Sequence, residues 1–283
     1  MSLLKVILLA ILQGLAELLP VSSSAHVVVA EKLMGMDPSA PAMTLLLVML
    51  HTGTMFAVIV YFWKQWKETY FAESEATKRF VWQAVIATFF TGIVGEALIK
   101  LIEHTLFRGA PKAQIEDLFS HLEIVAPALL AAGILILVAG LKQGRRPDST
   151  ESDQISFGQA GIIGAVQGLC LPFRGFSRSG ATISVGILQG IKKMRVESFS
   201  FALAVILTPL AIGREALRLH HADTSGFAQA ALPSFLGMVF AFLAGLVALK
   251  WLSAWLERGR WYYFGIYCIV ASLVVFVLHQ RGY

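Results

Sequence analysis

The sequence predicts an all-α polytopic integral membrane protein, with about six transmembrane helices and two re-entrant helix pairs in inverted-topology repeats. Three observations predict it. Of 283 residues, 57% are hydrophobic and 14% charged, with a mean hydropathy of +0.70, a balance foreign to soluble domains. Six apolar stretches reach the roughly 20 residues that a helix needs to cross about 30 Å of hydrocarbon. Two further apolar regions, 3–34 and 157–190, are broken in the middle by Pro, Ser, Gly and charged residues.

The elements follow in chain order. Residues 3–34 form the first interrupted segment. Unpaired backbone in lipid costs several kcal/mol, so a break survives only where protein or a wet cavity surrounds it. The segment is therefore expected to enter and leave on one side. Continuous spans follow at about 43–63, 80–101 and 122–142. The polar run KQGRRPDSTESDQ, 142–154, reads as a linker. Residues 157–190 repeat the interrupted pattern, and spans at about 198–219, 232–256 and 262–280 complete the chain. One membrane domain, 1–283, thus divides into a first half (1–141), a cytoplasmic linker (142–156) and a second half (157–283). Trp63, Trp66, Trp251, Trp255 and Trp261 fall near span ends, where interfacial anchoring is expected. Glu96 and Lys100 are spaced as a helix-face pair.

Basic residues give the orientation. If only the six continuous spans cross, Lys64, Lys67, Lys78, Arg79, Lys142, Arg145, Arg146, Lys192, Lys193, Arg195, Arg258 and Arg260 share one side. Lys5, Lys32, Arg108, Lys112, Arg214, Arg218 and Arg281 share the other. The positive-inside rule makes the richer side cytoplasmic and puts both termini outside. Cys170 and Cys268 lie in apolar surroundings without CxxC spacing, so neither a disulfide scaffold nor a zinc site is suggested, and both read as packing residues. Nucleic acid is not an expected partner.

AILQGLAELLPVSSSAH, from Ala10, lines up with GAVQGLCLPFRGFSRSGAT, from Gly164. Each has Gln-Gly-Leu, a proline, a serine cluster and a renewed apolar run. With opposite entry sides they form an inverted pair, an arrangement that puts a polar site where the repeats meet. Both serine clusters precede a helix restart, expected at Ala25 and Ala181. A helix start offers free N–H groups and the positive end of its dipole to an anion. Ser22, Ser23, Ser24, Ser177 and Ser179 add hydroxyl donors, and Arg178 adds a planar fork suited to phosphate. Glu17 would repel a phosphate unless a cation lay between them. A Mg²⁺ or Ca²⁺ ion held by Glu17, Gln13 and phosphate oxygens resolves the conflict. His26 suits a general acid or base, and Ser22 or Ser23 a nucleophile activated by it. His51 reads as a hydrogen-bonded packing residue, and His220 and His221 as residues of a short outer loop.

These residues resemble the undecaprenyl-diphosphatase family, the bacitracin-resistance phosphatases of bacterial inner membranes. The family's first motif, Glu or Gln, three residues, then Glu, is matched by QGLAE at 13–17, continuing into LPVSSSAH with His26 in the family's position. Its second motif, PGxSRSxxT, is matched by RGFSRSGAT at 174–182. Arg174 replaces the motif's proline, and Ala25 stands where glycine is common. The resemblance implies hydrolysis of undecaprenyl diphosphate to the monophosphate carrier used in cell-wall synthesis, and with it bacitracin resistance. It also implies a head group processed on the periplasmic face of the inner membrane and a divalent cation. Carried over by position, Gln13, Glu17, Ser23, His26, Ser177, Arg178, Ser179 and Thr182 are the functional candidates. Attack by Ser23 and attack by a metal-held water both remain open. The expected partners are a polyprenyl diphosphate lipid, the membrane and, as one assembly, a homodimer. The alternative is a transporter or flippase that binds the same lipid phosphate and breaks no bond.

Overall fold

A computed structural model of the chain describes residues 2–36, 40–106, 122–144, 151–220 and 227–281, without the side chains of 41, 106, 122, 214–220 and 227–229. Arg108, Lys112, Arg145, Arg146 and His221, and the side chains of Arg214, Arg218 and His220, lie outside the described residues. So does most of the expected linker. Among the described residues ten helices and no strand occur: α1 (Leu3–Leu18), α2 (Ser23–Leu33), α3 (Pro41–Thr69), α4 (Ser74–Leu106), α5 (Leu122–Gln143), α6 (Phe157–Leu169), α7 (Arg178–Leu188), α8 (Lys193–His220), α9 (Phe227–Glu257) and α10 (Trp261–Gln280).

Six of them, α3, α4, α5, α8, α9 and α10, are long and apolar enough to cross a bilayer. These match the expected spans one for one. The interrupted segments become the helix pairs α1–α2, of 16 and 11 residues, and α6–α7, of 13 and 11. At 1.5 Å per residue an 11-residue helix reaches only about 16 Å, half a hydrocarbon core. Three crossing helices separate the two pairs, so hairpins that each return to their own side open to opposite faces.

Local signals fix the boundaries. Ser156 and Gln159 form a reciprocal capping box at the start of α6, supplying two N–H groups of the first turn with acceptors. α7 stops at Gly190, whose φ of 80° suits glycine. Beyond it, Ser152 pairs with Ile191 in an isolated parallel bridge, tying the end of the linker to α7.

The packing exchanges partners between halves: α1 lies on α9, and α6 lies on α4. The Gln-Gly step of each repeat makes this possible. A Cβ on Gly14 would sit 2.6 Å from the Ala241 carbonyl oxygen of α9, and one on Gly168 would sit 2.7 Å from that of Thr91 in α4. Only glycine lets these backbones approach so closely. α5 packs along α10, and α4 turns an apolar face outward through Phe89, Phe90 and Ile93. Glu96 and Lys100 pair at 3.2 Å, as their spacing predicts.

The tryptophans divide. Trp63 and Trp251 are exposed, as interfacial anchors should be, but Trp66 and Trp261 are buried. The Trp66 indole donates to the Ser198 carbonyl and that of Trp261 to Ser184 Oγ. Proximity to a span end does not distinguish a ring facing lipid from one facing a neighbouring helix.

Candidate active site

Both hairpins break where a helix must end. In the first, α1 stops before Pro20, and α2 begins at Ser23, two residues before its expected start. Ser22 is its N-cap residue and has a φ of 66°, the one positive value outside glycine among the described residues. Such a conformation costs on the order of 1–3 kcal/mol and tends to persist at functional sites. The Ser22 side chain does not cap α2; its hydroxyl lies 3.2 Å from that of Ser24. The dipole and N–H groups of this helix start therefore remain open to a ligand. In the second hairpin, Ser177 Oγ accepts from Gly180 N–H and closes the start of α7.

The two tips touch. Arg178 Nη2 donates to Glu17 Oε1 at 3.2 Å, and Gly175 N–H donates to Ser24 Oγ at 3.3 Å. Around Glu17 a single network forms. Ser23 Oγ donates to Glu17 Oε2 in a short contact, and Gln13 Nε2 donates to the same oxygen at 3.3 Å. Gln13 Nε2 also lies 3.3 Å from His51 Nε2, while His51 Nδ1 is 2.8 Å from the Leu47 carbonyl. That pair of contacts fixes the His51 tautomer: Nδ1 carries the proton, and Nε2 accepts from the amide. Arg178 Nη1 is buried with no hydrogen-bond partner. An unpaired guanidinium donor at the junction of two broken helices is a vacancy suited to an anion.

The remaining candidates are placed less uniformly. His26 Nδ1 lies 2.8 Å from the Ser22 carbonyl, and its Nε2 lies 2.6 Å from the Tyr267 hydroxyl of α10. It thus begins one turn from Ser23 but bonds to neither Ser23 nor Arg178. Ser179 is buried. The Thr182 hydroxyl bonds the Arg178 carbonyl at 2.8 Å and Ser200 at 2.6 Å and is fully buried. It pins α7 to α8 beneath the arginine rather than facing a ligand. Arg174 lies within electrostatic reach of Glu31 of α2.

The donor set bears on a divalent cation. Among the described residues no group of three His, Cys, Asp or Glu side chains converges. Glu17 is the single carboxylate of the network, the Ser23 hydroxyl is a neutral oxygen, and the Gln13 amide, which turns its nitrogen to Glu17 and His51, would have to rotate to offer its oxygen. This fits an ion that takes one carboxylate and completes its shell with phosphate oxygens and water, as Mg²⁺ commonly does, but not an all-protein cage.

The family model for bacitracin resistance protein BacA matches residues 6–274. The chain belongs to the BacA family. It is 59% identical to Undecaprenyl-diphosphatase 2 of Acinetobacter baylyi, with 98% of each chain covered. It is 33% identical to Undecaprenyl-diphosphatase 2 of Burkholderia ambifaria over 99% of each chain. With Undecaprenyl-diphosphatase of Desulfitobacterium hafniense it shares 30% identity over 96% of this chain and 94% of that one. The match spans both hairpins of the chain and reaches every crossing helix. Two residues at the site carry no motif signal: His51, which reads from sequence as packing, and Tyr267, which has no distinguishing sequence context. His51 had a legible clue in its place within an apolar span, where an ionisable group is functional by default. Tyr267 had none.

Proposed function

We propose that the protein hydrolyses undecaprenyl diphosphate to undecaprenyl phosphate and inorganic phosphate in the bacterial inner membrane, recycling the lipid carrier for cell-wall synthesis and conferring bacitracin resistance. The observation that carries the reading is the buried, unpartnered Nη1 of Arg178 beside the uncapped start of α2. Together they offer a cationic donor and a helix dipole to one diphosphate. The names of the relatives agree with a phosphatase, and nothing in the site or among them favours the carrier alternative.

In the reaction we favour, Ser23 Oγ attacks the terminal phosphorus and its proton passes to Glu17. The bridging P–O bond breaks, and its electron pair leaves on the lipid monophosphate. Arg178 exchanges Glu17 for the phosphate oxygens and neutralises their growing charge. Water then attacks the phosphoserine, giving its proton to His26 Nε2, while Ser23 recovers its own from Glu17. A divalent cation held by Glu17 and Gln13 would supply charge neutralisation between carboxylate and phosphate. The positive-inside assignment puts this chemistry on the periplasmic side, where the first hairpin opens.

The test is phosphate release by detergent-purified protein, run beside vesicles carrying labelled lipid. Release that disappears in Arg178→Ala protein with an unchanged melting profile supports the enzyme. Movement of lipid across the vesicle without release would establish the carrier instead.

A further inference from the structure

Tyr267 opens a stripe on α10. Tyr267, Val270, Ala271, Val274, Val275 and Leu278 recur at helical spacing and line one wall of a groove of about 370 Å³. The facing wall is a matching stripe on α2: His26, Val29, Ala30 and Leu33, with Leu12 and Leu129 between them. Each stripe starts with its one polar residue, and those two residues touch. The Tyr267 hydroxyl is 2.6 Å from His26 Nε2, and the two rings stack with centroids 5.7 Å apart and planes 11° from parallel. From Tyr267 to Leu278 the groove runs about 16 Å at helical rise. It opens sideways, since Val270, Val274 and Leu33 are more than half exposed, and in a bilayer that opening faces lipid.

His26 Nδ1 is committed to the Ser22 carbonyl, so the lone pair of the neutral ring is on Nε2. That is the nitrogen Tyr267 occupies. A base cannot accept a second proton donor at a nitrogen already bonded to a hydroxyl. The groove that begins at this contact is apolar beyond it, narrow and continuous with the site through His26. Its fit is to a branched hydrocarbon chain attached to the group bound at Arg178.

We propose that Tyr267 is a positioning residue that makes the enzyme sensitive to chain length. It latches His26 Nε2 while the groove is empty, and an isoprenoid chain long enough to fill the whole groove displaces it. The inference rests on the hydrolase reading above. A short substrate reaches Arg178 but leaves the latch closed; a long one opens it.

The experiment compares kcat, which includes the water step that His26 assists, for undecaprenyl diphosphate and for a diphosphate of two isoprene units, by phosphate release. In Tyr267→Phe protein the short substrate gains about fivefold, the worth of one neutral hydrogen bond that no longer has to be broken, and the long-to-short ratio shrinks. An unchanged or wider ratio overturns the proposal. Ala271→Trp fills the groove without touching the hydroxyl, and here the ratio shrinks through loss on the long substrate. Nitrogen NMR of His26 in wild-type protein reads the latch directly. The Nε2 signal moves on adding undecaprenyl phosphate and holds still with the two-unit monophosphate; equal shifts for both would overturn the latch even if Tyr267→Phe failed to fold. A signal moved equally by added phospholipid would assign the groove to bulk lipid and overturn it too. Wild-type protein that releases phosphate from neither substrate would remove the hydrolase reading, whereas release with no change of ratio removes the latch alone.

Discussion

Arg178 and Glu17 meet at 3.2 Å across 161 residues of sequence, joining the tips of hairpins from opposite halves of the molecule. Both side chains are largely buried, 24% and 18% exposed. The pair is asymmetric in its remaining bonds. Glu17 is surrounded by donors from Gln13, Ser23 and Arg178, whereas Arg178 keeps Nη1 without an acceptor. A closed structural bridge would satisfy both partners. This one satisfies the acid and leaves a donor of the base for an incoming anion.

Arg178→Ala is expected to lower kcat/KM by about thirtyfold to several thousandfold, since truncating one partner of a buried charged hydrogen bond costs about 2–5 kcal/mol. Arg178→Lys recovers little of that loss. An ammonium lacks the planar fork needed to hold Glu17 and a phosphate oxygen in turn. Steady-state phosphate release measures both variants, and recovery to near wild-type rates by lysine would contradict the fork.

Ser23→Ala separates the two chemical routes. If serine attacks, the variant loses turnover entirely, and acid-quenched wild-type protein incubated with labelled substrate carries phosphoserine at position 23. If water attacks, the variant keeps measurable activity and no label is trapped. Peptide mapping of the quenched protein decides the matter, and Glu17→Gln is expected to abolish labelling because the serine proton then has no acceptor.

Much of this was legible before any coordinates. The six spans were readable because bilayer thickness imposes one length on every crossing helix. The two hairpins were readable because Pro, Gly and serine clusters cannot persist inside a lipid-facing helix. Glu17, Ser23 and Arg178 were readable as a group through their place in the repeat. His51 and Tyr267 were not, because they reach the site from α3 and α10 with no spacing that ties them to the hairpins. The same holds for Thr182: its motif position is clear from sequence, but only the fold reveals Ser200 opposite it. Trp66 and Trp261 were misplaced because hydropathy reports depth in the membrane and not which way a side chain faces.

Gly14 and Gly168 test the packing. Replacing either with valine drives a side chain into the backbone of α9 or α4, and overpacking of this kind costs about 1–3 kcal/mol. Each variant is expected to melt at a lower temperature in detergent than wild type. Gly92, where an added Cβ meets nothing within 4 Å, serves as the control. Gly92→Ala should match or exceed wild-type stability, because alanine favours a helix by about 0.8–1 kcal/mol over glycine.

Arg174 departs from the proline of the motif and acts on Glu31, a buried residue whose Oε1 has no hydrogen-bond partner. Arg174→Pro is expected to lower the melting temperature in detergent, because removing the cation leaves the buried Glu31 carboxyl without compensation. Unchanged melting would show that Glu31 does not depend on Arg174.

The proposed divalent cation would meet a single carboxylate in the Glu17 network. An ion whose protein ligands are Glu17, the Gln13 amide and a hydroxyl has too few charged donors to bind tightly alone, particularly with Arg178 holding one carboxylate oxygen. Diphosphate oxygens supply the missing charge. Calorimetry is therefore expected to show weak Mg²⁺ or Ca²⁺ binding to the protein by itself and markedly tighter binding once a non-hydrolysable diphosphate analogue is present. By linkage, the ion tightens the analogue by the same factor. Gln13→Glu supplies a second carboxylate, so binding of the ion alone should strengthen and its dependence on the analogue should shrink. Strong metal binding by wild-type protein without the analogue, or none with it, would contradict a cation shared between Glu17 and the substrate. Either result would leave Arg178 and the start of α2 as the whole of the anion site.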